Sequence, residues 1–157
     1  IDCEGFGGKF AGEETQCLNN PCVVAAGDEC FDATMITVGP SGFDTTDATA
    51  SMPQPDESMC EGTYMYWENS PDIWMYWTAF ADGVATFTTC DIETFDTSMV
   101  LYESTCENQV ACNGDASGGD CQAYYSAFDY TVTAGSTYYI RIGGWLGATG
   151  EGTLTIE

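Results

Sequence analysis

The sequence predicts an all-β protein, an antiparallel sandwich or jelly roll preceded by a loop-rich N-terminal extension. Three observations point there. Helix signals are nearly absent: Gly, Thr and Ser are frequent, and no long apolar stripe recurs at the 3.6-residue period. Short runs rich in aromatic and β-branched side chains alternate with turn residues, at about seven to nine sites along the chain. Aromatic content is 13%, rich for a disordered chain and ordinary for a sandwich core.

The elements follow in order. Residues 1–27 hold Cys3, Cys17 and Cys22 among Gly5, Gly7, Gly8, Gly12, Asn19, Asn20 and Pro21, and stay poor in apolar residues until Val23-Val24-Ala25-Ala26. They read as an extension ending in a short strand, with the sandwich occupying residues 28–157. Ala33 to Val38 and Phe43 to Ala50 are weak strand candidates. Ile73 to Phe80 is aromatic and apolar on both faces, as in a strand covered on both sides, with Trp74 and Trp77 facing opposite ways. Ala81-Asp82-Gly83 then Val84 to Thr89 predicts a hairpin, because Asp-Gly between two β-rich runs favours a tight reversal. Ser98 to Tyr102 is the next strand, and Asn113 to Asp120 a Gly-rich acidic loop. Tyr124 to Val132 alternates, with Phe128, Tyr130 and Val132 on one face. After the turn Ala134-Gly135-Ser136, Thr137 to Ile142 places Tyr138, Ile140 and Ile142 on one face and Tyr139 and Arg141 on the other. Gly152 to Ile156 turns Leu154 and Ile156 inward.

Composition narrows function. The 157 residues suit one domain. Asp and Glu number 25, Lys9 and Arg141 are the two basic residues, histidine is absent, and the formal charge is −23. Such a charge repels nucleic acid and anionic membranes. Without histidine the chain lacks the usual general base and the commonest metal ligand. No Ser or Cys has a His to activate it, and with 25 carboxylates any pair could be nominated for glycoside cleavage, so such pairing carries no signal. The chain is expected not to be an enzyme. No run approaches the ~20 apolar residues of a membrane span. Nine cysteines fit an oxidising, extracellular setting, and a chain opening at Ile1 reads as a secreted protein whose signal peptide has been removed.

From Gly27 to Glu157 five motifs occur in order: Gly27-Asp28-Glu29-Cys30-Phe31-Asp32-Ala33-Thr34, Ser70-Pro71-Asp72-Ile73-Trp74-Met75-Tyr76-Trp77, Phe95-Asp96-Thr97-Ser98-Met99-Val100-Leu101-Tyr102, Ala111-Cys112-Asn113-Gly114-Asp115, and Gly135-Ser136-Thr137-Tyr138-Tyr139-Ile140-Arg141-Ile142-Gly143-Gly144. Together they resemble the bacterial pre-peptidase C-terminal domain family, in its cysteine-bearing secreted form. The resemblance implies a β-sandwich of jelly-roll type and an accessory module rather than a catalyst. Members accompany secreted exoenzymes, and some bind calcium or help bind insoluble polymers. Residues 1–27 lie outside the resemblance, and no peptidase domain precedes the motifs in this sequence.

Candidate sites follow from residue chemistry. The cysteines are irregularly spaced, with no Cys-x-x-Cys pair of the kind zinc sites use. Disulfides are expected, at least three of them within residues 30–121. Eight cysteines can pair in 105 ways if one is left out. Cys112 and Cys121 bracket the acidic loop, Cys90 and Cys106 flank the strand Phe95–Tyr102, and Cys30 and Cys60 frame the first two strands, so these are candidate pairs and the connectivity stays open. Cys3, Cys17 and Cys22 leave one thiol to stay free, to reach the core, or to cross to another chain. Asn113, Asp115 and Asp120 share a loop whose glycines let carbonyls turn inward, and Asp96 is expected beside it. Alternating oxygen ligands of this kind suit calcium, while Asn, Asp and Gly also simply make turns. Trp145, in a Gly-flanked loop, is the best exposed candidate for stacking on a sugar. Arg141 is expected to be a counter-ion whose fork engages two carboxylates.

The functional expectation is an extracellular structural subunit that associates with copies of itself into a filament, sheath or surface layer. Cys3, Cys17 and Cys22 would contribute, and the strand around Val23 and Val24 would add to a neighbour's sheet edge. The alternative is a non-catalytic module binding polysaccharide or another insoluble polymer.

Overall fold

The structure is a computed structural model that describes residues 25–61, 67–91, 95–118 and 121–157. Cys3, Cys17, Cys22, Val23, Val24 and Asp120 lie outside the described residues, and with them the predicted terminal strand. The described strands are β1 (Thr34–Met35), β2 (Gly39–Asp44), β3 (Cys60–Glu61), β4 (Asp72–Thr78), β5 (Gly83–Thr88), β6 (Thr97–Glu103), β7 (Gln109–Asn113), β8 (Ala127–Val132), β9 (Thr137–Gly144) and β10 (Glu151–Ile156). They form an all-β fold of two sheets: six strands in the order β1-β4-β9-β6-β7-β3 and four in the order β2-β10-β5-β8. Pairing is antiparallel except at two places, β1 with β4 and β3 with β7. The expected antiparallel β-sandwich is borne out, and both exceptions are two-residue strands laid on an edge of the larger sheet.

The main core lies between the sheets. Ile73, Met75 and Trp77 of β4, Met99 and Leu101 of β6, and Tyr138, Ile140 and Ile142 of β9 meet Phe43, Ala85, Phe87, Leu154 and Ile156 of the smaller sheet. This is the period-two alternation read from the sequence, and it separates Trp77 from Trp74. Trp74 lies in a second cluster with Trp67, Val100, Tyr102 and Cys112, on the outer face of the six-stranded sheet. β4 is therefore apolar on both faces because segments outside the sandwich cover its far side.

The predicted hairpin at Asp82-Gly83 is not one. β4 belongs to the larger sheet and β5 to the smaller, so residues 79–82 arch across the core. A second arch, between β8 and β9, lies beside it: Ala79 N donates to Ser136 O at 3.0 Å and Gly135 N to Ala79 O at 2.8 Å. Asp82 Oδ1 accepts from Ala134 N at 2.8 Å. Asp82 thus fastens two crossings together rather than shaping a tight turn. The strand predicted from Tyr124 begins only at Ala127, because Tyr124 has a φ of 63° that an extended strand does not accept. The weak candidates also shift. Ala33–Val38 shortens to β1, and of Phe43–Ala50 only Phe43 and Asp44 are strand, the end of β2, whose six residues each face one of β10.

Candidate functional site

The most elaborate polar centre is built around Arg141. β9 places it opposite Trp74 on β4 and Val100 on β6. It is fully buried. Nη2 donates to Asp72 Oδ2 at 2.8 Å and to Ser51 O at 2.7 Å, and Nη1 to Pro53 O at 2.8 Å. The guanidinium centre lies 4.8 Å from the Trp67 ring and 5.4 Å from that of Trp74, within cation–π reach of both. The expected engagement of two carboxylates is corrected to one carboxylate and two carbonyls, because residues 51–53 fold over the outer face of the sheet. Ser51 serves Asp72 in turn, its N donating to Oδ2 at 3.1 Å and its Oγ to Oδ1 at 2.6 Å. Asp28, also buried, holds the same segment through Thr49 N at 2.5 Å and Thr49 Oγ1 at 2.9 Å. Burial pushes the Asp72 carboxyl upward, and Arg141 and Ser51 pull against it. Burial also raises Glu29, helped by the charges of Asp28 and Asp72. This centre holds the outer layer in place. Every polar partner of Asp72 and Arg141 named above is internal.

The expected calcium residues divide. Asp96 and Asp115 come close enough that the Asp96 carboxyl is raised by partial burial and by the negative charge of Asp115. Asn113 ends β7, and its Oδ1 accepts from Ala127 N at 3.1 Å, so its first duty is to close the start of β8. Asp120 is outside the described residues. Among the described residues no three His, Cys, Asp or Glu side chains cluster as a metal site. What remains of the expected set is a repelling carboxylate pair with oxygen chemistry that fits a hard cation.

The six cysteines of the sandwich form three disulfides: Cys30–Cys106, Cys60–Cys112 and Cys90–Cys121. All three candidate pairings are corrected. The reason is β7, which is not among the strands the sequence predicts. β7 sets Cys112 directly opposite Cys60 on β3, so Cys112 cannot close the acidic loop with Cys121. Cys90 follows β5 and Cys121 precedes β8, and those strands are neighbours. That leaves Cys106, in the turn after β6, over Cys30 on the outer face of the larger sheet.

Trp145 is 45% exposed and Leu146 58%, whereas Trp67, Trp74 and Trp77 are buried. The pair caps β9 in a 3-10 turn fixed by Trp145 N to Asp96 O at 3.1 Å and Gly147 N to Ser70 Oγ at 3.1 Å. Leu146 has a φ of 50°, a left-handed conformation that costs a non-glycine residue free energy.

Two apolar surfaces stand out among the described residues. One surrounds Met35, Val38 and Phe80, which are 68%, 49% and 83% exposed. The other is a groove of about 500 Å³ between the edges of the two sheets, walled by Ala25, Ala26 and Thr34 on one side and Gly42, Phe43 and Asp44 on the other, over Ile73 and Met75.

No family model matches the chain, and no curated protein matches it. A solved structure similar to it is the pre-peptidase C-terminal domain of a collagenase from Bacillus anthracis, at 10% identity, covering 80% of this chain and 94% of that chain with a TM-score of 0.46. It is a domain of the kind that the motifs from Gly27 onward resemble.

Proposed function

We propose that this chain is an extracellular structural subunit that associates with copies of itself, its N-terminal extension forming part of the contact. The observation that carries the reading is the set of large apolar side chains left in solvent: the patch of Met35 at 68%, Val38 at 49% and Phe80 at 83%, and separately Phe31 at 87%. Exposed apolar surface on so acidic a molecule marks a contact site, since nothing about solubility requires it. The three disulfides support an oxidising location. The centre around Arg141 supports a non-catalytic role, its groups being spent on holding the outer layer. The test is electron microscopy and light scattering of the full chain in rising salt, beside a variant lacking residues 1–24. The expected outcome is elongated assemblies from the full chain, strengthened by salt because 23 like charges per subunit must be screened, and a folded monomer from the variant. A full chain that stays monomeric in salt and calcium overturns the reading.

Calcium enters as a second proposal. Asp96 and Asp115 would hold the ion, and its charge would relieve the repulsion between them. At a calcium concentration about 100-fold above its Kd, binding stabilises the fold by ~2.7 kcal/mol. Chelation should therefore lower the Tm of the parent and leave Asp115→Ala unchanged. A chelator response shared by both would place any ion elsewhere. An exposed Trp145 beside Leu146 favours the other reading, a module that stacks on polysaccharide. Pull-down of the monomer by an insoluble polysaccharide, lost in Trp145→Ala, would support it.

A further inference from the structure

The four-stranded sheet ends at β2, and the direction of its backbone groups can be read from one bond. Thr45 N donates to Gly150 O at 3.0 Å, continuing the β2–β10 register. Alternation then turns Phe43, Ser41 and Gly39 toward β10 and leaves Pro40, Gly42 and Asp44 facing out. Pro40 has no N–H to offer, so an incoming strand can pair only from Gly42 to Asp44. That outward edge borders the 500 Å³ groove over Ile73 and Met75. We infer that this groove receives the uncharged stretch 15–24 of a second copy of the chain, paired along β2. The inference rests on the self-association proposed above and names its acceptor.

Three features of the molecule favour that occupant. The groove carries Asp44, Asp47 and Glu151 on its rim, which repel most of a chain with 25 acidic residues. Residues 15–27 carry no charged side chain, so this segment enters without that repulsion. Residues 5–12 also lack acids but are glycine-rich and lie farther from Ala25, whereas 15–24 run directly into it. Residues 33–43, which supply β1 and most of β2, are equally free of charge. The length also suits. Ten residues extend to roughly 33 Å at ~3.3 Å each, more than the pairing edge needs. Ala25 and Ala26 already wall the groove on the β4 side, where Gly27 O accepts from Trp74 N at 2.6 Å. To lie in its own groove the chain would have to double back immediately before Ala25. The residues there are Val23 and Val24, β-branched and unsuited to a tight reversal. A segment from a neighbour enters without that turn, and the head-to-tail contact propagates.

Gly42→Pro tests it in the full chain. The substitution removes the outward N–H while sparing the bonds to β10, and a side chain at Gly42 meets only Gly152 O, 4.0 Å away. Gly42→Ala keeps the N–H and serves as control. With one or two strand-addition bonds lost and the ring obstructing the edge, Gly42→Pro should raise the concentration needed for assembly at least about tenfold. Gly42→Ala should assemble like the parent. A synthetic peptide of residues 15–24, with serine at positions 17 and 22, should inhibit assembly of the parent. If Gly42→Pro assembles as the parent does, the acceptor lies elsewhere and self-association stands. If the parent itself never assembles, the functional reading and this inference fall together. Should Gly42→Pro fail to fold by circular dichroism, the peptide decides: inhibition supports the groove and its absence overturns it.

Discussion

Arg141 and Asp72 are the pair on which the outer layer depends. Each is fully buried, and the ion pair is only one of three bonds the guanidinium makes to this layer. Deleting one partner leaves the other charged and out of water, so Arg141→Met should cost about 3–5 kcal/mol in urea unfolding. Arg141→Lys should also be costly, because an ammonium cannot reach Ser51, Pro53 and Asp72 in one plane. The pH dependence has a definite sign. Burial already raises Asp72 in the parent, and losing Arg141 removes the main opposing charge. In the variant a folded-state carboxyl with a raised pKa contributes its relative stability in acid and loses it as pH rises through that value. The gap between parent and Arg141→Met should therefore narrow as pH falls through the carboxylate range and widen above it. A constant gap would mean that Asp72 is not the group left unpaired. The sequence placed Arg141 opposite the inward face of β9 correctly, but nothing near it in sequence announces carbonyls 88 and 90 residues away.

Disulfides and arches operate one scale up. Cys30–Cys106 spans 76 residues, Cys60–Cys112 spans 52 and Cys90–Cys121 spans 31. In the chain-entropy model each restricts the unfolded chain by roughly 4 kcal/mol, the longest most. Replacing Cys30 and Cys106 together by serine should lower urea stability more than the same change at Cys90 and Cys121. The opposite order would show that local packing outweighs loop length. The strands themselves are largely legible: β9 and β10 alternate their apolar residues at period two, while β4 and β6 are continuous apolar and aromatic runs covered on both faces. β7 is not. Gln109-Val110-Ala111-Cys112-Asn113 has one β-branched residue, and its place is decided by pairing with β6 rather than by propensity. Missing β7 misassigned every candidate bridge. The Asp82-Gly83 reversal failed for a related reason: turn chemistry says that a chain reverses, while the partner of the next strand, β8, is set by pairing far along the chain. The candidate ion residues were legible as types, but the bond from Ala127 N that occupies Asn113 was not.

On the scale of the whole molecule the charge is lopsided to an unusual degree, with 2 cations against 25 acids, and the structure takes one of the two cations out of solvent altogether. The described surface is thus entirely anionic or neutral, which is why screening should govern any association and why charge-free stretches matter for contact. Entombing Arg141 has another consequence, for digestion. Proteases of the trypsin class cut after lysine or arginine and must draw the chain into an extended form around that residue. The sequence offers them Lys9 and Arg141 alone. With Arg141 clasped between Trp67 and Trp74 in the middle of β9, the folded sandwich presents no bond that such an enzyme can reach. The layer that hides the arginine makes the domain a poor meal for one whole class of digestive enzyme.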